Sequence, residues 1–255
     1  MRLVARYLTK VYRRAFQPPW EDAAPAIDRV SFSLDGGETL AIVGAAGSGK
    51  TTLARVLAGA EALSSGTVLL DDERCDPMRD PRYQKLVRLM SQDPSASLNP
   101  HYSVGMLLDD VLRRNTALNL EDRQEKIAQT LLDVGLVAEH ADFYPYMLTA
   151  GQKYRIALAR AIITDPRVII ADESLSSIDL TVRAKLVNLL LKLQQERNIS
   201  YIIISHDRDL IRHVSDKVLV MRNGRAVEYG PVEQVLNDPK DPYSRQLLTL
   251  IPTTR

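Results

Sequence analysis

Gly44-Ala45-Ala46-Gly47-Ser48-Gly49-Lys50-Thr51 decides the fold. The octet fits G-x-x-x-x-G-K-[ST], and its flanks are what that pattern requires. Ahead of it runs Thr39-Leu40-Ala41-Ile42-Val43, a short continuous apolar run that suits a strand buried on both faces. Behind it, residues 50–60 set Leu53, Val56 and Leu57 on one helical face. Strand, glycine-rich turn and helix in that order build a cradle for one anion. The glycines let backbone N–H groups converge, and the helix N-terminus adds partial positive charge. Lys50 is expected to reach β- and γ-phosphates, and the Thr51 hydroxyl to ligate Mg²⁺. Ala45, Ala46, Ser48 and Thr52 complete the expected nucleotide-binding set. Four fixed positions match by chance in about one such chain in a hundred, and the strand–loop–helix context lowers that further.

Outward from the loop, Val30-Ser31-Phe32-Ser33-Leu34 alternates as a half-buried strand, and Asp35-Gly36-Gly37-Glu38 is a turn. The N-terminus also reads as strand, separated from the next one by an irregular proline-bearing excursion over 13–26. Strands are expected over 66–71 and 86–90. From about 93 to 165 the character changes: apolar residues recur at helical spacing in 104–118 and 121–134, which predicts an inserted helical subdomain. Val168–Ala171 and Tyr201–Ile204 are then β-branched runs separated by an amphipathic helix over 181–196. Strand, helix, strand implies parallel pairing through right-handed crossovers. Residues 217–221 and 225–229 flank Arg222-Asn223-Gly224 as a hairpin. The tail, about 230–255, reads as helical over 230–252. A single domain spanning 1–255 is the expectation.

Composition narrows the class. The chain has 255 residues, with 33 Lys+Arg against 32 Asp+Glu and one cysteine. That balance argues against a protein whose main affinity is for nucleic-acid phosphates. A lone Cys75 forms no intrachain disulfide and builds no cysteine cluster, which fits a reducing compartment. No opening segment reads as a signal peptide, and no run approaches the roughly 18 apolar residues of a spanning helix. A soluble intracellular protein is expected.

A second acidic feature joins the loop. Asp172-Glu173 follows Val168–Ala171, so both carboxylates leave a core strand at its carboxyl end, where open α/β sheets hold ligands. Asp172 suits holding Mg²⁺ through water, and Glu173 suits polarising an attacking water. Alone, the pair could equally be an acidic strand end or helix cap. The phosphate loop shifts the balance toward chemistry.

Taken together, the loop, Gln92, Leu148-Thr149-Ala150-Gly151-Gln152, Asp172-Glu173, Ser176-Ser177-Ile178-Asp179 and His206 stand in the order of the ATP-binding-cassette (ABC) ATPases. The resemblance covers essentially the whole chain. It is nearest to the ATP-binding subunits of oligopeptide and dipeptide importers, particularly Sap-type peptide transport subunits. Ser91-Gln92-Asp93-Pro94-Ser95-Ala96-Ser97-Leu98-Asn99-Pro100 and Asp241-Pro242-Tyr243-Ser244-Arg245-Gln246-Leu247-Leu248 look like that subfamily.

The resemblance implies an ABC-type P-loop ATPase of the α/β class. Its mostly parallel core sheet would carry an N-terminal antiparallel β subdomain and an inserted helical subdomain. Gln92 matches the glutamine that touches Mg²⁺ and signals to the membrane subunit. Leu148, Thr149, Ala150, Gly151 and Gln152 match the signature motif, which caps the γ-phosphate held by the other subunit of a head-to-tail dimer. Asp179 matches the D-loop between the two sites, and His206 the switch histidine on the γ-phosphate. Tyr12 stands where an aromatic stacks on adenine, with Phe16 and Trp20 as competitors. By themselves, His206 reads as a strand-end histidine, Gln92 as a polar loop residue and Tyr12 as strand packing.

Two departures stand out. The family signature usually reads Leu-Ser-Gly-Gly-Gln, whereas Thr149 and Ala150 fill its second and third positions here. Thr149 keeps a hydroxyl. Ala150 adds a methyl where close approach, or a φ that only glycine accepts freely, is expected. The composite site using this signature is therefore expected to be the weaker of two in a heterodimer. The single cysteine also excludes the cysteine-rich C-terminal cluster that some partner ATPases carry.

The functional expectation is an ATP-hydrolysing subunit, using ATP and Mg²⁺, that powers peptide transport, antimicrobial peptides included. Two permease subunits, a second ABC ATPase and a periplasmic peptide-binding protein are the implied partners, with no nucleic acid. The implied location is peripheral, on the cytoplasmic face of a bacterial inner membrane. A nickel or other small-solute importer ATPase is the alternative within transport. A soluble ABC ATPase of ribosomes or DNA is the alternative outside it, disfavoured by one cassette and only 55 residues between Gln92 and Leu148.

Overall fold

The computed structural model describes residues 1–12, 24–90, 97–172 and 179–250. The chain opens with strands β1 (Arg2–Val11), β2 (Pro25–Asp35) and β3 (Thr39–Val43), then helix α1 (Lys50–Leu57). Next come β4 (Ser65–Leu70), β5 (Glu73–Cys75), α2 (Pro81–Leu86) and β6 (Val87–Met90). Helices α3 (Val104–Asn115), α4 (Leu120–Asp133) and α5 (Ala150–Ile162) follow, with short 3-10 turns at Ala138–Asp142 and Pro145–Met147. The chain then runs through β7 (Val168–Asp172), α6 (Leu180–Arg197), β8 (Ser200–Ile204) and α7 (Arg208–Val214). It finishes with β9 (Lys217–Arg222), β10 (Arg225–Pro231), α8 (Val232–Asn237) and α9 (Pro242–Leu250).

Two sheets form. The first is antiparallel, ordered β2-β1-β4-β5, and β1 and β2 bury alternate residues over much of their length, as one wetted face requires. The second is ordered β10-β9-β3-β8-β7-β6, parallel from β9 to β6, with β10 antiparallel at its edge. Every residue of β3, β7 and β8 is buried, because both faces of this sheet are covered.

The two-residue period of a strand then sorts side chains between cores. Leu40, Ile42, Val168, Ile170, Ile202 and Ile204 point into the cluster shared with α1 and the antiparallel sheet. Ile169, Ala171, Tyr201 and Ile203 point the other way, toward α5 and α6. Ala41 and Val43 meet α7, α8 and α9 in a third cluster. This layering holds the carboxyl end of the parallel sheet open as one edge.

Several boundaries differ from the sequence reading, each for a local reason. The helix expected over 104–118 ends at Asn115, where Asn115 Nδ2 and Thr116 Oγ1 donate back to the carbonyls of Val111 and Leu112, both at 2.7 Å. Helix α2 was not foreseen, although Asp80-Pro81 is a start signal: the Asp80 carboxylate accepts from Arg82 N at 2.9 Å, with Pro81 in the first turn. The helical tail is not continuous. It is the last two residues of β10, then α8 and α9, and the two helices are separated where Glu228 accepts from the backbone N–H groups of Lys240 (2.8 Å) and Asp241 (3.2 Å).

Candidate active site

The loop after β3 is built by its contacts on both sides. Lys50 begins α1, is only 6% exposed, and donates Nζ to the carbonyls of Gly44 (2.8 Å) and Ala45 (3.0 Å). Ser48 N closes a tight turn onto Ala45 O at 3.1 Å, and Leu53 N bonds Gly49 O at 2.9 Å to start the helix. Gly49 is needed twice over. Its φ is +102°, and a Cβ there would stand 2.4 Å from Ala26 O on β2. The β9–β10 turn braces the same loop, with Gly224 N donating to Ser48 O at 3.0 Å and Gly224 O accepting from Asp28 N at 2.8 Å. Ala45, Ala46, Gly47 and Thr51 are exposed at the mouth, and Thr52 is half-buried.

Strand register brings further residues to this mouth. Ile42 of β3 lies opposite Ile204 of β8, which lies opposite Asp172 of β7. The phosphate loop begins two residues beyond Ile42, and His206 stands two residues beyond Ile204. Asp172 is 6% exposed at the end of β7, while His206 is exposed. Met90 of β6 ends beside Ala171 at the same edge. Gln92 and Glu173, which follow Met90 and Asp172 in the chain, lie outside the described residues, as do Phe16 and Trp20. The oxygen donors at this edge, a threonine hydroxyl and a carboxylate, are the hard set that Mg²⁺ takes.

Asp207, the residue after His206, is joined through one ion pair to α6, the helix that Asp179 caps. Asp207 caps α7 by accepting from Asp209 N and Leu210 N, both at 3.0 Å, and its other oxygen takes Arg183 Nη1 at 2.5 Å. Arg183 N in turn bonds Asp179 O at 2.8 Å, and Asp179 caps α6 through Thr181 N at 2.9 Å. Neither Arg183 nor Asp207 belongs to the motifs read from the sequence. The cap pattern at Asp207 was the signal available.

Residues 148–152 form a different constellation. Leu148 is buried in the helical core, and Thr149 caps α5 in a capping box with Gln152. Thr149 N donates to Gln152 Oε1 at 2.9 Å, which turns Gln152 Nε2 toward His140 Nε2 at 3.1 Å. That His140 nitrogen therefore accepts. His140 Nδ1 faces the Val137 backbone, with Val137 N and Val137 O both at 3.3 Å. Ala150 corrects one expectation: it is the first residue of α5 and does not adopt positive φ, so backbone strain gives no reason for glycine there. The demand falls instead on Gly151, where a Cβ would stand 2.7 Å from Val182 Cγ1 of α6.

Tyr12 lies at the end of β1, 47% exposed, with its hydroxyl on Glu61 Oε2 and Lys10 Nζ 5.0 Å above its ring. Partial burial and the Glu61 acceptor raise its phenol above the ordinary value, and a hydrogen bond with Thr52 pulls the other way. Thr52, the third residue of α1, is thus near the Tyr12 hydroxyl.

Among the described residues, no helix is long and apolar enough to cross a membrane. An ABC transporter family model matches residues 27–176. The dipeptide transport ATP-binding protein DppF of Escherichia coli (strain K12) is 44% identical over 237 residues, covering 91% of this chain and 70% of its own. The putrescine export system ATP-binding protein SapF of the same strain is 42% identical over 251 residues, covering 96% and 92%. Among solved structures, cbiO1 from Clostridium perfringens, part of the ABC transporter complex cbiONQ, aligns with a TM-score of 0.79 at 26% identity. That alignment covers 98% of this chain and 95% of the other.

Proposed function

This chain belongs to the ABC transporter family, whose cassettes bind and hydrolyse ATP, and from that premise we propose that it powers peptide transport through separate permease subunits. The observation that carries this reading is the strand register. It sends the loop 44–51, Asp172 and His206 out of the sheet at one edge. A nucleotide bound there meets converging N–H groups, the Lys50 ammonium and the N-terminus of α1. Tyr12 offers its ring to adenine beside Thr52. Thr51 and Asp172 would supply the oxygen donors for Mg²⁺, which neutralises phosphate charge when bound, and Gln92 is assigned to the same ion from its place in the motif order. Glu173 orients the water and takes its proton as the γ-phosphate leaves ADP, and His206 steadies that phosphate.

The signature residues 148–152 and Asp179 act on the nucleotide of a second cassette, so two chains close around two nucleotides. ATP drives closure only to the extent that it binds the closed pair more tightly than the open one. The proposed assembly has two permeases, a second and different ATPase, and a periplasmic binding protein, with this chain peripheral on the cytoplasmic face of the inner membrane. Peptide as cargo follows the name of the dipeptide transport relative. A polyamine is the second reading, because a relative covered over 92% of its length is named for putrescine export.

The test is purification of the tagged chain from native membranes in mild detergent, with and without Glu173→Gln. Two permeases and a second cassette should accompany it, and Glu173→Gln should lower ATPase by about 100-fold or more while retaining ATP. Undiminished turnover would remove Glu173 from the chemistry. Recovery with ribosomal or DNA-repair proteins would overturn transport and leave the ATPase intact.

A further inference from the structure

The outer side of the phosphate loop is held by a residue from the far end of the chain. Ala45 O accepts from Lys50 Nζ (3.0 Å) and Ser48 N (3.1 Å) on the inner side of the turn. Its N–H is used separately: it donates to Tyr243 Oη at 3.1 Å, across 198 residues of sequence. Tyr243 is the second residue of α9, and several bonds fix it there. Asp241 Oδ1 accepts from Tyr243 N (2.8 Å) and Ser244 N (3.4 Å), and Glu228 of β10 holds the preceding backbone. The Arg222 guanidinium lies 4.8 Å from the Tyr243 ring centroid, while the ring packs on the cluster around Val43, Val220 and Leu248. Arg222 ends β9, two residues before Gly224, whose N–H grips Ser48 O. One strand end thus braces the loop at two points: directly at Ser48, and through Tyr243 at Ala45.

We infer that Tyr243 is a positioning residue for the nucleotide. Its hydroxyl holds the Ala45 peptide so that the loop already has the curvature that aims the later N–H groups at phosphate. This rests on residues 44–51 being the phosphate site. The physical reason is preorganisation: Ala45 is exposed, and without that acceptor its N–H is equally well served by water. Binding then has to select one loop conformation out of several, and apparent affinity falls by the fraction that is competent. Once nucleotide is seated, the loop is ordered either way, so the chemical step is untouched.

The experiment compares the full chain with its Tyr243→Phe and Lys50→Ala variants, titrated with ATP and with ADP. The same variants are assayed for ATPase in the complex purified with the tagged chain. Tyr243→Phe keeps the ring under Arg222 and loses one oxygen. It should weaken ATP and ADP alike by about 3- to 10-fold, the effect of one net hydrogen bond. KM for ATP should rise by the same factor, with kcat and melting temperature retained. Lys50→Ala should lose nucleotide far more severely. Unchanged affinity in Tyr243→Phe overturns the inference, as does a drop in melting temperature and kcat at constant KM, which would mark mere docking of the tail. If the unaltered chain binds neither nucleotide, the phosphate-site reading falls and the inference with it, so the two failures are distinct.

Discussion

Tyr83 carries its hydroxyl into the core and donates it to Leu57 O at 2.7 Å. Leu57 is the last residue of α1, so this bond satisfies one of the carbonyls that every helix C-terminus leaves open. Burial, and secondarily Cys75 nearby, push the Tyr83 phenol far above its ordinary value. The sign of the pH dependence follows. The folded chain keeps this proton while the unfolded chain releases it near pH 10, so the contribution is complete below about pH 10 and is lost as pH rises beyond it. Tyr83→Phe leaves the carbonyl unpaired and should cost about 1–2 kcal/mol at neutral pH. Denaturant unfolding between pH 7 and 11 checks both points. The variant should start lower and fall less steeply, and parallel curves would contradict the assignment. Nothing at position 83 announces this. A tyrosine in a short segment has no periodicity to display, and its partner was chosen by how α2 packs against α1.

At the scale of elements, α5 and α6 show why a glycine stands at one position of the 148–152 segment and alanine at another. Thr149 and Gln152 form a capping box at the start of α5, legible in sequence as a hydroxyl residue three before a glutamine. The tolerance of Ala150 and the demand at Gly151 were not legible, because they depend on which neighbour faces each residue. Ala150 is exposed, whereas the methyl of an alanine at 151 would meet Val182 Cγ1 at 2.7 Å. Gly151→Ala should therefore destabilise the chain by about 1–3 kcal/mol despite the better helix propensity of alanine. Adding Val182→Ala should recover much of that loss, so the two changes are coupled. Thermal unfolding of the single and double variants decides it, and simple additivity would mean that α6 is not the obstacle.

For the whole molecule, the placement of residues divides into two faces of one architecture. The phosphate loop, Asp172 and His206 gather at the carboxyl edge of the parallel sheet. The polar contacts of Thr149 and Gln152 instead run to each other and to His140, within the helical segment between β6 and β7. With strain excluded, only close approach by a second chain remains as the reason a glycine would serve better at Ala150. Ala150→Gly should then raise the ATPase rate of the assembled transporter, by a few-fold if one methyl is in the way. An unchanged or lower rate would mean the composite site is not weakened by Ala150.

The sequence by itself determined what is local. The octet 44–51, the runs Thr39–Val43, Val168–Ala171 and Tyr201–Ile204, and the acidic pair after the second run carry their own reading. A phosphate loop needs glycines at fixed spacing, and a doubly covered strand has to be apolar throughout. Only tertiary structure decided the order β10-β9-β3-β8-β7-β6, and with it which residues became neighbours. Tyr243 on Ala45, Gly224 on Ser48, Arg183 on Asp207 and Gly151 against Val182 all depend on that choice. Each joins groups set by the packing of separate elements. Such pairing is a property of the whole chain's energy: a motif or cap marks some of these residues singly, and none of those signals names the partner.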